Sequence, residues 1–152
     1  MVKVKAAIAL GALLTMPAVM RAGPFEDYEA LSPAVHARMG EMYKRALTTF
    51  LGQDKTEFSF QVLASGQPTA IESEHTYMRN KVTLQLDDVA MVHTHPGAAD
   101  RHPSDNDCQV ANQTHIPDYV LSRSELWLAA PDGRAYFVGY VEFKHGQFTV
   151  SK

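Results

Sequence analysis

The chain has 152 residues, 45% of them apolar and 20% charged, which is ordinary for a globular protein and enough for one domain around a modest core. Fourteen basic against seventeen acidic residues leave a net charge of −3, so no charge excess recruits nucleic acid or an anionic membrane. A single cysteine, Cys108, excludes an intramolecular disulfide, so the domain relies on packing and on any metal it binds.

Residues 1–22 differ in kind from the rest. Lys3 and Lys5 precede an apolar run from Ala6 to Met20, interrupted only by Thr15 and Pro17. A basic start and a short apolar stretch make the layout of a secretory leader, cut near Ala22, although Met20 and Arg21 depart from the small-x-small pattern before the cut. The run is shorter than the roughly 20 apolar residues of a spanning helix, so no stable membrane span is expected. An uncleaved anchor and a buried N-terminal helix are the alternatives. The reading is a leader over 1–22 and one domain over 23–152, exported to the periplasm or secreted.

Gly23 to Leu31 reads as a linker or arm. Ser32-Pro33 then gives an N-cap followed by proline in the first helical position, where its missing N–H is no loss. Val35, Met39, Met42, Tyr43, Ala46, Leu47 and Phe50 recur at steps of three and four, which predicts one long amphipathic helix ending near Gly52. Beyond Asp54 the period changes to two: Phe58, Phe60 and Val62 alternate with Ser59 and Gln61, and Ser65-Gly66-Gln67-Pro68 closes the strand. Ala70–Met78 and Lys81–Leu86 are weaker strand candidates. Val89–Val92 is a short apolar strand that delivers His93 and His95 at its end. A helix is predicted from Ser104, with a hydroxyl at the N-cap and a carboxylate three residues on, to about Thr114. Tyr119–Leu121, Leu126–Ala130, Ala135–Phe143 and Gln147–Val150 read as strands, with Pro131-Asp132-Gly133-Arg134 as a hairpin turn. The order implies an α+β domain around a mixed sheet.

The chemistry concentrates in His93-Thr94-His95-Pro96, followed by Ser104 and Asp107. Two histidines one residue apart on an extended segment point to the same side. Imidazoles with a carboxylate suit a divalent metal, Zn²⁺ first. A catalytic zinc takes three protein ligands, here His93, His95 and Asp107, and keeps a position for water. Ser104, three residues before the third ligand, can place its hydroxyl beside the metal. Cys108 reads as a packing residue. His36, His75, His115 and His145 lack ligand spacing and read as surface or structural residues.

His-x-His-Pro followed by Ser-x-x-Asp resembles the JAMM metalloprotease motif of the MPN/JAB superfamily, and the likeness runs from about Glu57 to Val138. The resemblance implies a curved mixed sheet flanked by the long N-terminal helix and the short motif helix. It also implies Zn²⁺-dependent hydrolysis of a peptide or isopeptide bond in a peptide or protein substrate, with His93, His95 and Asp107 as zinc ligands. Ser104 then corresponds to the serine that helps hold the oxyanion, and Glu57, at the head of the first strand, to the general acid/base. Glu72 and Glu74 are rivals for that last role. Residues 96–103 form a loop one residue longer than the family's usual spacing. The expectation is that it bulges outward; the alternative brings Asp105 or His102 into the metal shell. Asp100 and His102 read as loop residues near the pocket. A non-catalytic MPN-type binding module in an envelope complex is the alternative function, and a metal-sequestering protein a third. Ile116–Ser122 is expected to build core and wall the groove.

Overall fold

The computed structural model describes residues 23–74, 84–97 and 101–152, so the leader reading for 1–22 lies outside the described residues. The described elements are α1 (Pro24–Glu29), α2 (Pro33–Arg45), α3 (Leu47–Phe50), β1 (Glu57–Leu63), β2 (Glu72–Glu74), β3 (Asp88–Thr94), α4 (Asp105–Thr114), β4 (Asp118–Leu121), β5 (Glu125–Ala129), β6 (Ala135–Lys144) and β7 (Gln147–Ser151). The strands form one seven-stranded sheet in the order β2-β1-β3-β4-β5-β6-β7. Every neighbouring pair is antiparallel except β3 and β4, which run parallel with α4 as their crossover. The domain is therefore mixed α/β, and its one parallel step lies beside His93 and His95.

Alternation divides the strand residues between two faces. Val92, Tyr119, Leu121, Leu126 and Leu128 join Val35, Met39, Met42 and Phe50 in the main core, so α2 and α3 cover that face. Ser59, His93, Val120, Trp127 and Phe137 occupy one continuous cross-strand row of the opposite face. Asp107 of α4 reaches the histidines there, which places α4 on this second face.

Three local expectations change. The segment read as an arm holds helix α1: Pro24 starts it, Glu26 and Asp27 supply negative charge in the first turn, and Tyr28 is buried against the core. Glu26 also pairs with Lys152, tying α1 to the last residue of the chain. The helix expected to run unbroken to Gly52 is instead α2 followed by the single turn of α3. At the junction the Ala46 amide is shared between the Met42 and Tyr43 carbonyls, and the Thr49 hydroxyl donates to the Ala46 carbonyl. That tightening is how a chain turns while keeping its backbone bonded. Among the described residues of the two weaker strand candidates, only Glu72–Glu74 forms a strand. Residues 75–83 of those candidates lie outside the described residues, and Leu84–Leu86 is not a strand.

The pairing of β5 with β6 slips by one residue between Leu126 and Trp127, so Gly139 faces Leu126 while Phe137 faces Trp127. This bulge puts Phe137 and Tyr140 on the same face although they are three residues apart. Gly139 has no room for a side chain: a Cβ there would lie 2.5 Å from the Ser151 carbonyl oxygen. Gly139→Ala is accordingly expected to destabilise the fold by about 1–3 kcal/mol through overpacking against β7, measured by urea denaturation. An unchanged midpoint would show that β7 yields freely.

Candidate metal centre

His93 and His95 stand at the end of β3, where the strand's backbone bonding continues from the His95 amide to the Leu121 carbonyl. Between them Thr94 is fully buried and its hydroxyl accepts the Phe58 amide, which pins β3 to β1 and holds both rings on the other face. The two imidazoles are only 5% exposed, with ring centroids 4.9 Å apart. The third group arrives with α4. Ser104 is its N-cap: the Ser104 hydroxyl accepts from the Asp107 amide at 3.1 Å, and the Asp107 carboxylate accepts from the Ser104 amide at 2.6 Å and from its hydroxyl at 2.7 Å. This reciprocal cap sets the Asp107 carboxylate 3.3 Å from His95 Nε2 and 3.8 Å from His93 Nε2.

His93, His95 and Asp107 thus offer three ligand atoms within 4.8 Å of one another, a group able to hold a metal ion. Two neutral imidazole nitrogens and one carboxylate suit Zn²⁺ and leave a fourth tetrahedral position free. The structure adds a residue that sequence analysis did not assign to the site. Asp118, the first residue of β4, is 3% exposed and meets His93 Nδ1 at 3.0 Å. It thereby orients the ring with Nε2 toward Asp107, as second-layer carboxylates do behind metal-bound histidines. By its sequence the Asp118 segment reads as core and groove wall. The legible signal was a charged residue opening an otherwise apolar strand, but its partner became visible only through the parallel pairing of Met91 with Asp118.

The electrostatics follow from these neighbours. Burial disfavours the charged form of His93, yet the carboxylates of Asp118, Asp107 and Glu57 outweigh it and push its pKa up to about 9. Burial would also raise Asp107, but His95, His93 and the two Ser104 bonds hold its carboxyl far below the usual carboxylate range.

Glu57 opens β1, the strand next to β3, two residues before Ser59, which pairs with His93. Glu57 and the histidines therefore share the α4 face, and Glu57 is close enough to favour the charged His93. Glu74 and Glu72 pair with Glu57 and Ser59 respectively, one strand farther from the histidines. Ser104 is exposed beside Asp107. In the loop, Asp107 and not Asp105 or His102 meets the histidines; the His102 ring lies edge-on to Trp127 at 4.5 Å, and Asp100 is outside the described residues. Cys108 is half-buried with its thiol pKa raised, by burial first and then by Asp107 and other nearby carboxylates, which keeps it protonated. His36 bonds the Tyr28 carbonyl at 2.9 Å, a structural role.

In comparisons with known proteins, the chain matches no family model, no curated protein and no solved structure. Among the described residues no helix is long and apolar enough to cross a membrane.

Two outcomes are expected. Asp118→Asn should lower divalent-metal affinity about 10–100-fold in a chelator competition while leaving the circular dichroism spectrum unchanged; unchanged affinity would remove Asp118 from the site. The second concerns pH. His93 titrates near 6.5 when unfolded and near 9 in the metal-free fold, so its contribution is complete below about pH 6.5 and is lost as pH rises through about 9. Asp107 acts in the opposite sense, contributing above its unfolded pKa near 3.8 and losing that contribution as pH falls. The melting temperature of metal-free protein should therefore fall between pH 6.5 and 9, and a rise across that window would contradict a charged His93 among its carboxylates.

Proposed function

We propose that this chain is a zinc-dependent hydrolase of the JAMM type, built on an MPN-like arrangement and cutting a peptide or isopeptide bond. The observation that carries the reading is the convergence on one sheet face of His93 and His95 from β3, Asp107 from α4, and Glu57 from the strand alongside. A metal-sequestering site would close its fourth position with a protein ligand, whereas Glu57 stands outside the group of three convergent ligand atoms.

His93, His95 and Asp107 would hold the ion, with Asp118 fixing the His93 ring from behind. When bound, zinc supplies a Lewis acid that lowers the pKa of water from about 15.7 toward ~7 and polarises a carbonyl. The residues of the chain supply the proton transfers and the charge stabilisation. Glu57 accepts a proton from the attacking water and returns it to the leaving amine, the general acid/base work that amide cleavage requires. The Ser104 hydroxyl, which bonds Asp107 in the resting arrangement, turns to donate to the oxyanion of the tetrahedral state, while its amide keeps the Asp107 carboxylate in place. The reading of residues 1–22 as a leader places the substrate outside the cytoplasm, as a periplasmic peptide, a cell-wall peptide bond or a secreted target.

Metal analysis by plasma mass spectrometry on untagged protein should find about one zinc per chain, lost in His95→Ala, in keeping with a three-ligand site. Glu57→Gln should keep the zinc and lose about 10²–10⁴-fold in turnover on whichever peptide wild type cleaves. Absence of stoichiometric metal after zinc reconstitution overturns the hydrolase. A Glu57→Gln protein that keeps its zinc and its full effect on a bound partner marks a binding module instead.

A further inference from the structure

At the end of the sheet away from the histidines, α1 and the heads of β3 and β4 line a cavity of about 760 Å³. Leu31, Ala90, Ile116, Pro117 and Leu128 give it apolar walls. Asp27, Asp87 and Asp88 line it as well, with His115 but no lysine or arginine. At ~3.3 Å per residue Asp88 lies about 17 Å along β3 from His93, so the cavity and the metal centre are separate sites.

Asp88 is the unusual member of this lining. It is 7% exposed and shares the core side of β3 with Ala90 and Val92. Its Oδ2 accepts the Gln85 amide at 2.6 Å, whereas its Oδ1 meets no donor among the described residues. A buried carboxylate oxygen without a donor destabilises the fold, and a donor that arrives with positive charge relieves the penalty. Burial first, and then the Asp27 charge, raise the pKa of the Tyr119 phenol in the wall, so negative potential extends across the cavity. The backbone fixes these walls. The Ala64 amide donates to the Asp87 carbonyl at 2.8 Å, the Asp88 amide to the Gln85 carbonyl at 3.2 Å, and the Met91 amide to the Pro117 carbonyl at 2.9 Å. A site held in this way has little to order on binding.

We propose that this cavity is a second binding site, which takes an alkylammonium group with its apolar chain along the walls and its ammonium on the Asp88 carboxylate. The site stands independently of the hydrolase reading. Mainly apolar walls with a few placed polar groups, at this volume, are the pattern of small-molecule sites. A bare metal ion does not suit it, because the three aspartates do not converge. Among the described residues the one convergent ligand group is His93, His95 and Asp107. A guanidinium gains most from a carboxylate that offers both oxygens, and Asp88 Oδ2 is already bonded to Gln85. An ammonium is a point charge that needs one acceptor, which Oδ1 supplies. A free amine and the side chain of a lysine in a peptide carry this same chemistry.

The test is isothermal titration calorimetry on the whole chain, with and without zinc, using hexylamine, 1-hexanol, hexanoate and Nα-acetyl-lysine methylamide. Hexylamine is expected to bind saturably at one site, about tenfold or more tighter than hexanol or hexanoate. Asp88→Asn keeps the shape and removes the charge, and should weaken hexylamine by a similar factor. Leu86→Lys, at a fully exposed position on the rim, sets a cation beside the entrance and should weaken it a few-fold. No saturable heat from either amine, equal binding of hexanol, or unchanged affinity in a folded Asp88→Asn protein overturns the site. Should Asp88→Asn fail to fold, unchanged affinity in Leu86→Lys overturns it. Binding by hexylamine alone marks a free amine as the ligand, and binding by the lysine derivative marks a peptide side chain. Equal affinity with and without zinc is expected, whereas binding that disappears when zinc is removed puts the amine on the metal and overturns the second site.

Discussion

Asp107 has two tasks, and the rest of the site depends on its meeting both. Its carboxylate closes the first turn of α4 by accepting the Ser104 amide and hydroxyl, and it faces both imidazoles across the gap to β3. The helix start favours its negative charge, since unpaired amides and the macrodipole concentrate positive potential there. The cap therefore stabilises the helix and aims the carboxylate at both imidazoles with the same atoms. An aspartate free to rotate would do neither, and the reciprocal bonds with Ser104 remove that freedom.

The parallel step between β3 and β4 explains why the helix start comes so close to the histidines. A parallel neighbour requires a crossover, and the loop after His95 followed by α4 is that crossover, returning the chain over the face that bears His93. The same pairing sets the head of β4 beside β3, so that Asp118 enters behind His93. Three acidic side chains from β1, α4 and β4 then surround one buried imidazole and raise its affinity for a proton despite burial. An environment that attracts a proton to a buried imidazole is also one that attracts a cation to it, which is why the charge pattern and the donor set agree.

The two faces of the sheet are used differently. One is an ordinary core, with α2 and α3 packed over leucine, valine and phenylalanine. The other is only partly covered by α4, and its uncovered portion carries Trp127, Phe137 and Tyr140, brought onto one face by a bulge where Gly139 meets β7 too closely for any side chain. A bulge redirects a side chain without changing the rest of the strand.

Much of this was legible in the residues. Period-two alternation located β1, the turns at Pro131–Arg134 and His145-Gly146 bounded β5, β6 and β7, and Ser104 with Asp107 marked the start of α4, because these signals are local and depend on neighbours two to four positions away. The spacing of His93, His95, Ser104 and Asp107 likewise made a candidate metal site visible before any fold was known. What the sequence could not show was which distant elements become neighbours. The Asp118 carboxylate lies 25 positions from His93, and its bond depends on a parallel register that no periodicity encodes. The break at Ala46 and the seating of α1 depend likewise on packing and on a pairing with the last residue of the chain. The sequence by itself determined most of the strands, the start of α4 and the ligand-type residues, since those follow from local propensity and spacing; only the tertiary structure decided their partners, because strand order and register are set by burial summed over the whole sheet.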